Sequence, residues 1–491
     1  MTAPVRPSTV VAALDPVAEL LLGAVAYGDV PLAIDDGQPD PGLRLRREVT
    51  AAGARFVVQH CAGADVVAEE PLTVTSLPLD RGSTTPRPRA HPAPTEVLEV
   101  VPARPEVGSG APHEVVVPAT GPTRPTFEAI RTAARTRRLV RIEAPPAGDP
   151  LLWGGLVLHL TAAGVVCLLS PAALAGVAGV SDRLRATLPA DGTGSLDPEV
   201  VAAAGDEDLA LARVAAEQRR AALADHDLAL VWAPGERGGW APSLRPRPWP
   251  SVSVVLPTRR PALVPTALAM LAAQHGGELE VVVALHGAHD PSPVEDAIMA
   301  AGLAGTVLPV PATVPFGAVV NAAVARTSGQ LVLKWDDDDL YGPHVVEDLV
   351  LAQRASGAAL TGKAAEFVHL DALGRTIWRT PARAEGPSMT LAGGTFLTPR
   401  SVLEEVGGYP PLARAVDHHL KARVAAAGGA VYRTHGFGFV LRRHGAGHTW
   451  AAGDERFLAQ AVATFEGVPP VLGLGAAARF ARVPIADPLP T

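Results

Sequence analysis

The chain has 491 residues, too many for one ordinary hydrophobic core, so two or three domains are expected. It is 48% hydrophobic and 19% charged with a net charge of −8, which excludes a chain disordered throughout and argues against a general nucleic-acid binder. Two cysteines, Cys61 and Cys167, cannot build a disulfide framework, and no Cys-x-x-Cys metal motif is present.

The apolar run Leu20 to Ala26 follows Asp15 and Glu19 rather than a basic region, so it reads as a buried helix and not as a signal peptide. Phe56 to Val58 and Leu72 to Thr75 read as strands, making residues 1–77 an N-terminal α/β segment. Residues 78–125 are dense in proline and read as a linker with short strand-like runs such as Glu114 to Val117. A second α/β segment spans residues 126–245, to be joined with 1–77 or to stand alone. Its elements are a strand at Leu139 to Ile142, a helix at Leu151 to Ala162, a strand from Val165 and a long helix at Glu207 to Leu223. The uncharged run Pro150 to Ser181 is long enough for a membrane span. Its glycines, His159 and Pro171 instead break it into helix, turn and strand. No Gly-x-Gly-x-x-Gly loop and no catalytic constellation occur in this half, which reads as a scaffold or interaction region.

Arg245 to Pro250 marks a second break. After it come a strand at Val252 to Leu256, a helix at Pro265 to Gln274, a strand at Glu280 to Ala284, a helix at Gly317 to Arg326 and a strand at Leu331 to Trp335. This alternation implies right-handed crossovers and a mainly parallel sheet, which binds ligands beyond the carboxyl ends of its strands. At the end of the last strand stand Asp336, Asp337, Asp338 and Asp339. Adjacent carboxylates repel unless a cation is present, and in extended chain Asp336 and Asp338 share a face. Hard oxygen donors of this kind suit Mn²⁺ or Mg²⁺.

With these pieces in order, residues 250–465 resemble the family-two, A-fold nucleotide-sugar glycosyltransferases. Ser253 to Thr258 match the opening strand and nucleotide loop, and Asn321 with Ala322, Ala323 and Gly329 match the helix before the acidic motif. Asp336 to Asp339 match Asp-x-Asp-Asp. Gly393-Gly394-Thr395 with Arg400, then Gly407-Gly408-Tyr409, match the acceptor segment, and Asp417 matches the aspartate of the Glu-Asp motif. The glutamate of that motif is Val416 here, and Leu285-His286-Gly287 stands where the family carries its base-reading aspartate.

The resemblance implies a Rossmann-like mixed sheet, mainly parallel, preceded by an N-terminal α/β region. It implies metal-dependent, inverting transfer from a nucleotide diphosphate sugar to an acceptor hydroxyl on a glycan, lipid-linked intermediate or protein. Asp338 would coordinate the metal with Asp336, and Asp417 would be the base. Pro257, Thr258, Arg259, His286, Asn321, Asp336 and Asp339 would line the donor. Gly394, Thr395, Tyr409 and His418 would line the acceptor. A late histidine, His448 first and His444 second, would reach the metal, and Arg442 and Arg443 would neutralise diphosphate. Trp335, Tyr341 and Trp378 are available to stack on sugar rings. Lys334, one of three lysines in a chain that otherwise uses arginine, is placed to balance the carboxylates. The expected setting is cytoplasmic, with contact at the inner face of the membrane compatible, and residues 466–491 read as a tail. Two other classes fit parts of the pattern. A nucleotidyltransferase would want glycines beside Arg259 and Arg260, and a silent transferase-like scaffold would explain the altered His286 and Val416 positions.

Overall fold

The computed structural model describes residues 30–33, 39–50, 53–60, 71–72, 97–100, 139–142, 150–162, 164–188, 202, 204–205, 207–226, 248–379, 385–444, 453–483 and 485. The expected helix at Leu20 to Ala26, the run Glu114 to Val117 and His448 lie outside them. The chain divides into two compact units, Met1–Pro92 with Leu230–Gly239, and Ala93–Ala229 with Trp240–Thr491.

In the first unit, β1 (Val30–Ala33), β2 (Pro39–Thr50), β3 (Gly53–His60) and β4 (Pro71–Leu72) form an antiparallel sheet in the order β1-β2-β3-β4. β2 and β3 make a hairpin from Leu43↔His60 to Thr50↔Gly53.

The second unit begins with β5 (Val97–Val100), which lies inside the proline-rich stretch, followed by β6 (Leu139–Ile142) and β7 (Val166–Leu169). These three are parallel. Helix α1 (Pro150–Ala162) precedes β7, and α2 (Glu207–His226) packs against both. The side chain of Gln218 on α2 receives the Cys167 N–H at 2.8 Å and donates to the Cys167 carbonyl at 2.8 Å, so a glutamine completes the hydrogen bonding of β7. No helix among the described residues is long and apolar enough to cross a membrane.

The main sheet of this unit is built from β8 (Val252–Thr258), β9 (Leu279–His286), β10 (Ala304–Val310) and β11 (Leu331–Lys334), with four later strands. Every residue of β8 is buried, as expected of a β-branched strand covered on both faces. Helices α3 (Val264–Ala272), α4 (Ser292–Ala300) and α5 (Phe316–Val324) make the crossovers. Then follow β12 (Leu340–Tyr341), α6 (Val345–Ser356), β13 (Leu360–Lys363), β14 (Phe367–Leu370), β15 (Arg375–Arg379), β16 (Gly386–Pro387), β17 (Leu397–Pro399), α7 (Arg400–Glu405), α8 (Val416–Ala426), β18 (Val431–Thr434), β19 (Phe439–Arg443) and β20 (Ala461–Glu466). The eight-stranded sheet runs β10-β9-β8-β11-β17-β13-β18-β16 and is parallel except for β17 and β16. A five-stranded sheet runs β12-β19-β14-β15-β20. The unit is therefore a mixed α/β fold with a large, mainly parallel sheet.

One apolar core joins α2 to this sheet. Leu209, Ala210 and Ala216 of α2 belong to the same buried cluster as Val254, Leu256, Leu333, Val346 and Leu349. Full burial of a leucine of this kind stabilises by about 1.5–3 kcal/mol. The compact unit thus runs across the break at residues 245–250 that composition marks in the sequence.

Candidate active site

Three parallel strands end at one edge, β8 at Thr258, β9 at His286 and β11 at Lys334, and the four aspartates follow β11 directly. The chain then enters β12, whose antiparallel register with β19 (Leu340↔Val440, Tyr341↔Phe439) runs Leu441 to His444 back along the acidic turn. That register is what brings Arg442 and His444 to Asp339 and Asp338.

The four aspartates have separate partners except that Asp337 and Asp338 share Arg260. Asp336 Oδ1 accepts from Lys334 Nζ at 2.7 Å, and the same ammonium lies 3.5 Å from Asp417 Oδ2. Asp337 is bound by the Thr258 hydroxyl and the Arg260 guanidinium. Asp338 Oδ2 accepts from Arg260 Nη2 at 2.6 Å and lies 3.0 Å from His444 Nε2. Asp339 Oδ1 accepts the Arg442 N–H at 2.9 Å.

The electrostatics follow from burial and these contacts. Burial and the neighbouring Asp338 charge push Asp337 up to about 6. Burial, Asp338 and Asp336 push Asp339 well above the usual carboxylate range. Asp336 is raised by burial and by Asp417 and Asp338, against the opposing pull of Lys334. Burial would raise Asp338 too, but the His444 hydrogen bond and the Arg260 charge outweigh it and hold Asp338 below the usual range. Burial disfavours the Lys334 ammonium, yet Asp336 and Asp417 more than compensate and raise it.

Asp417 is brought in by a separate element. Ala415 takes a left-handed φ of 60°, the one non-glycine residue to do so among those described, and α8 starts immediately after it. Such a conformation costs an L-residue about 1 kcal/mol or more, and this strain stands at the turn that aims Asp417. Asp417 Oδ1 is buried without a hydrogen-bond partner. Between the two carboxylates lies the Gly393-Gly394 turn. A Cβ on Gly393 would overlap Asp417 Oδ2, and one on Gly394 would lie 2.6 Å from Tyr341 Oη and 2.7 Å from Asp336 Oδ2. The Tyr341 hydroxyl receives the Asp336 N–H at 3.0 Å and donates to the Gly394 carbonyl at 3.0 Å, tying the acidic turn to the glycine turn.

Asp336, Asp417, Gly394 and Lys334 therefore come together, while Asp338, two residues on, is held by Arg260 and His444. Pro257 is buried within β8. Arg259 donates from Nε to His286 Nδ1 at 3.1 Å, and burial together with the Arg259 charge lowers the His286 pKa. A neutral imidazole, not a carboxylate, thus ends β9. The amide of Asn321 is committed to Tyr409, donating to its carbonyl at 2.7 Å and accepting its N–H at 2.8 Å. The Tyr409 ring is buried beside Lys334 and Asp417. The Thr395 hydroxyl faces inward, between the Lys363 N–H at 2.9 Å and the Ala392 carbonyl at 2.8 Å. His418 is exposed and sits edge-on to His419.

Two expectations change, those for the three aromatic rings and for Arg442, while His448 lies outside the described residues. Trp335, Tyr341 and Trp378 are buried, with Trp335 stacked on Tyr341, so none presents a face to a sugar. The Arg442 guanidinium is engaged by Asp371 and by the carbonyls of Phe480 and Val483. Among the described residues, the histidine that reaches the acidic turn is His444. Sequence reasoning passed over Arg260 as a partner of this turn, although its position two residues past the end of β8 was a usable signal.

The turn offers ligand types that divalent cations take. Asp338 and His444 present an oxygen and a nitrogen 3.0 Å apart, while Asp336 is held by Lys334 and does not join them in a set of three donors within 4.8 Å. Burial, with repulsion between neighbours, raises Asp336, Asp337 and Asp339, so each takes up a proton more readily than an exposed carboxylate.

No family model matches the chain, and no curated protein matches it. Among solved structures, the crystal structure of S. aureus TarS 1–349 in complex with UDP-GlcNAc is similar at 17% identity, over 41% of this chain and 61% of that chain, with a TM-score of 0.35. TarS 1–349 alone matches at 16% identity over 39% and 60%, with a TM-score of 0.32. A further S. aureus TarS structure matches at 17% identity over 39% and 37%, with a TM-score of 0.33. The chain thus covers less than two thirds of the length of each of these neighbours.

Proposed function

We propose that this site transfers a sugar from a nucleotide diphosphate sugar to an acceptor hydroxyl, with inversion at the anomeric carbon. The observation that carries the reading is the shared contact of Lys334 with Asp336 and Asp417, at the carboxyl edge of the parallel strands and across the Gly393-Gly394 turn. Asp336 belongs to the strand edge where a nucleotide would lie, and Asp417 faces it from helix α8, as donor and acceptor sides of one reaction require.

Asp336, Asp338 and His444 would hold Mn²⁺ or Mg²⁺. Such an ion, when bound, offsets the negative charge that develops on a diphosphate leaving group. The chain's own residues do the rest. Thr258, Arg259 and His286 line the strand ends where the nucleotide would sit. Asp417 Oδ1, free of hydrogen bonds, receives the proton of the acceptor hydroxyl as that oxygen attacks from the face opposite the leaving group. Lys334 keeps Asp336 and Asp417 close without a proton shared between them. The acceptor proposed is a glycan, a lipid-linked intermediate or a protein.

A panel of nucleotide diphosphate sugars screened with Mn²⁺ for a rise in melting temperature tests the reading. One donor class should raise the midpoint in the wild type and not in Asp338→Ala. No shift with any donor, or an equal shift in Asp338→Ala, contradicts it.

A further inference from the structure

Helix α6 opens with a group that the proposed transfer reaction does not use. His275, His344 and Glu347 are the one set of three such side chains among the described residues whose donor atoms all come within 4.8 Å of one another. His344 Nδ1 lies 2.6 Å from Glu347 Oε2, and the His275 and His344 rings meet edge-on with centroids 4.5 Å apart. His344 occupies the N-cap position of α6 yet makes no side-chain capping bond, so ending the helix does not explain where its ring points.

The loop that carries His275 is fixed against α6 by several bonds. His275 N donates to the Pro343 carbonyl at 2.7 Å. Gln274 donates to the Gly342 carbonyl at 2.8 Å and accepts the Val346 N–H at 3.1 Å. Gly276 follows at φ 120°, where a Cβ would press on Trp249 at 3.1 Å and on Glu347 N at 3.3 Å. Glu347 is buried, and Arg183 donates to its Oε1 from Nη1 and Nη2 at 3.1 Å each. Arg220 Nε is 3.8 Å from Oε2.

We infer that His275, His344 and Glu347 form a second metal site, for Zn²⁺ or a similar borderline transition ion. Two imidazoles and one carboxylate are the ligand types that such ions take at about 2.0–2.2 Å, with water completing the tetrahedron. Arg183 would act as the outer partner of the ligating carboxylate, and the exposed His275 lets the ion enter from solvent. Binding would clamp the loop after α3 to the start of α6.

The test uses the full-length protein and Co²⁺ as the probe. A tetrahedral Co²⁺ absorption saturating near one equivalent is expected in the wild type and, equally, in Asp338→Ala. His275→Ala and His344→Ala, checked for native circular dichroism, should weaken it by at least about tenfold. His275→Gln serves as the second variant at the exposed position. An absent band in the wild type, an unchanged band in the histidine variants, or its loss in Asp338→Ala overturns the inference. Since no readout is enzymatic, failure of the transferase reading leaves this test intact.

Discussion

Arg220 of helix α2 grips Asp348 of helix α6 at two points, Nε to Oδ1 at 2.7 Å and Nη2 to Oδ2 at 3.0 Å, and both side chains are buried. Lys363 Nζ reaches the same carboxylate at 2.9 Å and donates to the Phe437 carbonyl at 2.8 Å. Lys363 also receives the Ala392 N–H on its carbonyl at 2.9 Å, just before the Gly393-Gly394 turn. A residue from before the composition break is therefore linked, through Asp348 and Lys363, to the backbone that supports the site. Removing Arg220 takes the two-point contact from a buried carboxylate and leaves it with Lys363 alone at hydrogen-bond distance. Arg220→Ala should cost about 3–5 kcal/mol in urea unfolding. A loss below about 1 kcal/mol would show that the pair does not hold α2 in place.

The same carboxylate predicts a pH dependence. Burial opposes ionisation of Asp348, but Arg220 and Lys363 more than reverse this and hold it well below the usual range. A depressed folded-state pKa gives stability that is present above the unfolded value of about 4 and is lost as pH falls below it. Urea midpoints between pH 6 and pH 3 should fall more steeply in the wild type than in Asp348→Asn. Parallel slopes would assign the acid sensitivity to other carboxylates.

The elements positioning the donor edge were legible in the sequence because β8, β9 and β11 are apolar, β-branched runs bounded by turn residues. Asp336, Asp338 and Asp417 were legible as carboxylates at strand and helix ends. The five-stranded sheet was not, because β12 has two residues and β14 four, and their pairing with β19 is long-range. For the same reason the place of His444 had no local signal, since the β12–β19 register brings it to Asp338. The union of α2 with the main sheet was hidden by the proline-rich break, because Arg219 and Arg220 on α2 find their buried partners, Glu385 and Asp348, far along the chain.

Gly393 admits no side chain. A Cβ there would overlap Asp417 Oδ2, displacing the proposed base while leaving the apolar cores untouched. Gly393→Ala should lower the transfer rate by about 100-fold or more with a native circular dichroism spectrum, as small misplacements of reacting groups do. Unimpaired turnover would mean that the turn does not set the position of Asp417.

Lys334 carries the charge that lets Asp336 and Asp417 face one another. Lys334→Met should raise the apparent pKa for activity and reduce the rate at neutral pH, because two carboxylates without a cation between them favour sharing a proton. A pH–rate profile identical to the wild type would separate Lys334 from the chemistry.

The most direct measurement of the central claim is nucleotide diphosphate release and sugar transfer by Asp417→Asn beside the wild type, with Mn²⁺ and the donor that stabilises the fold. The account predicts that Asp417→Asn keeps donor binding and loses transfer by about 100-fold or more, the scale of a general base. Transfer by Asp417→Asn at the wild-type rate would contradict it.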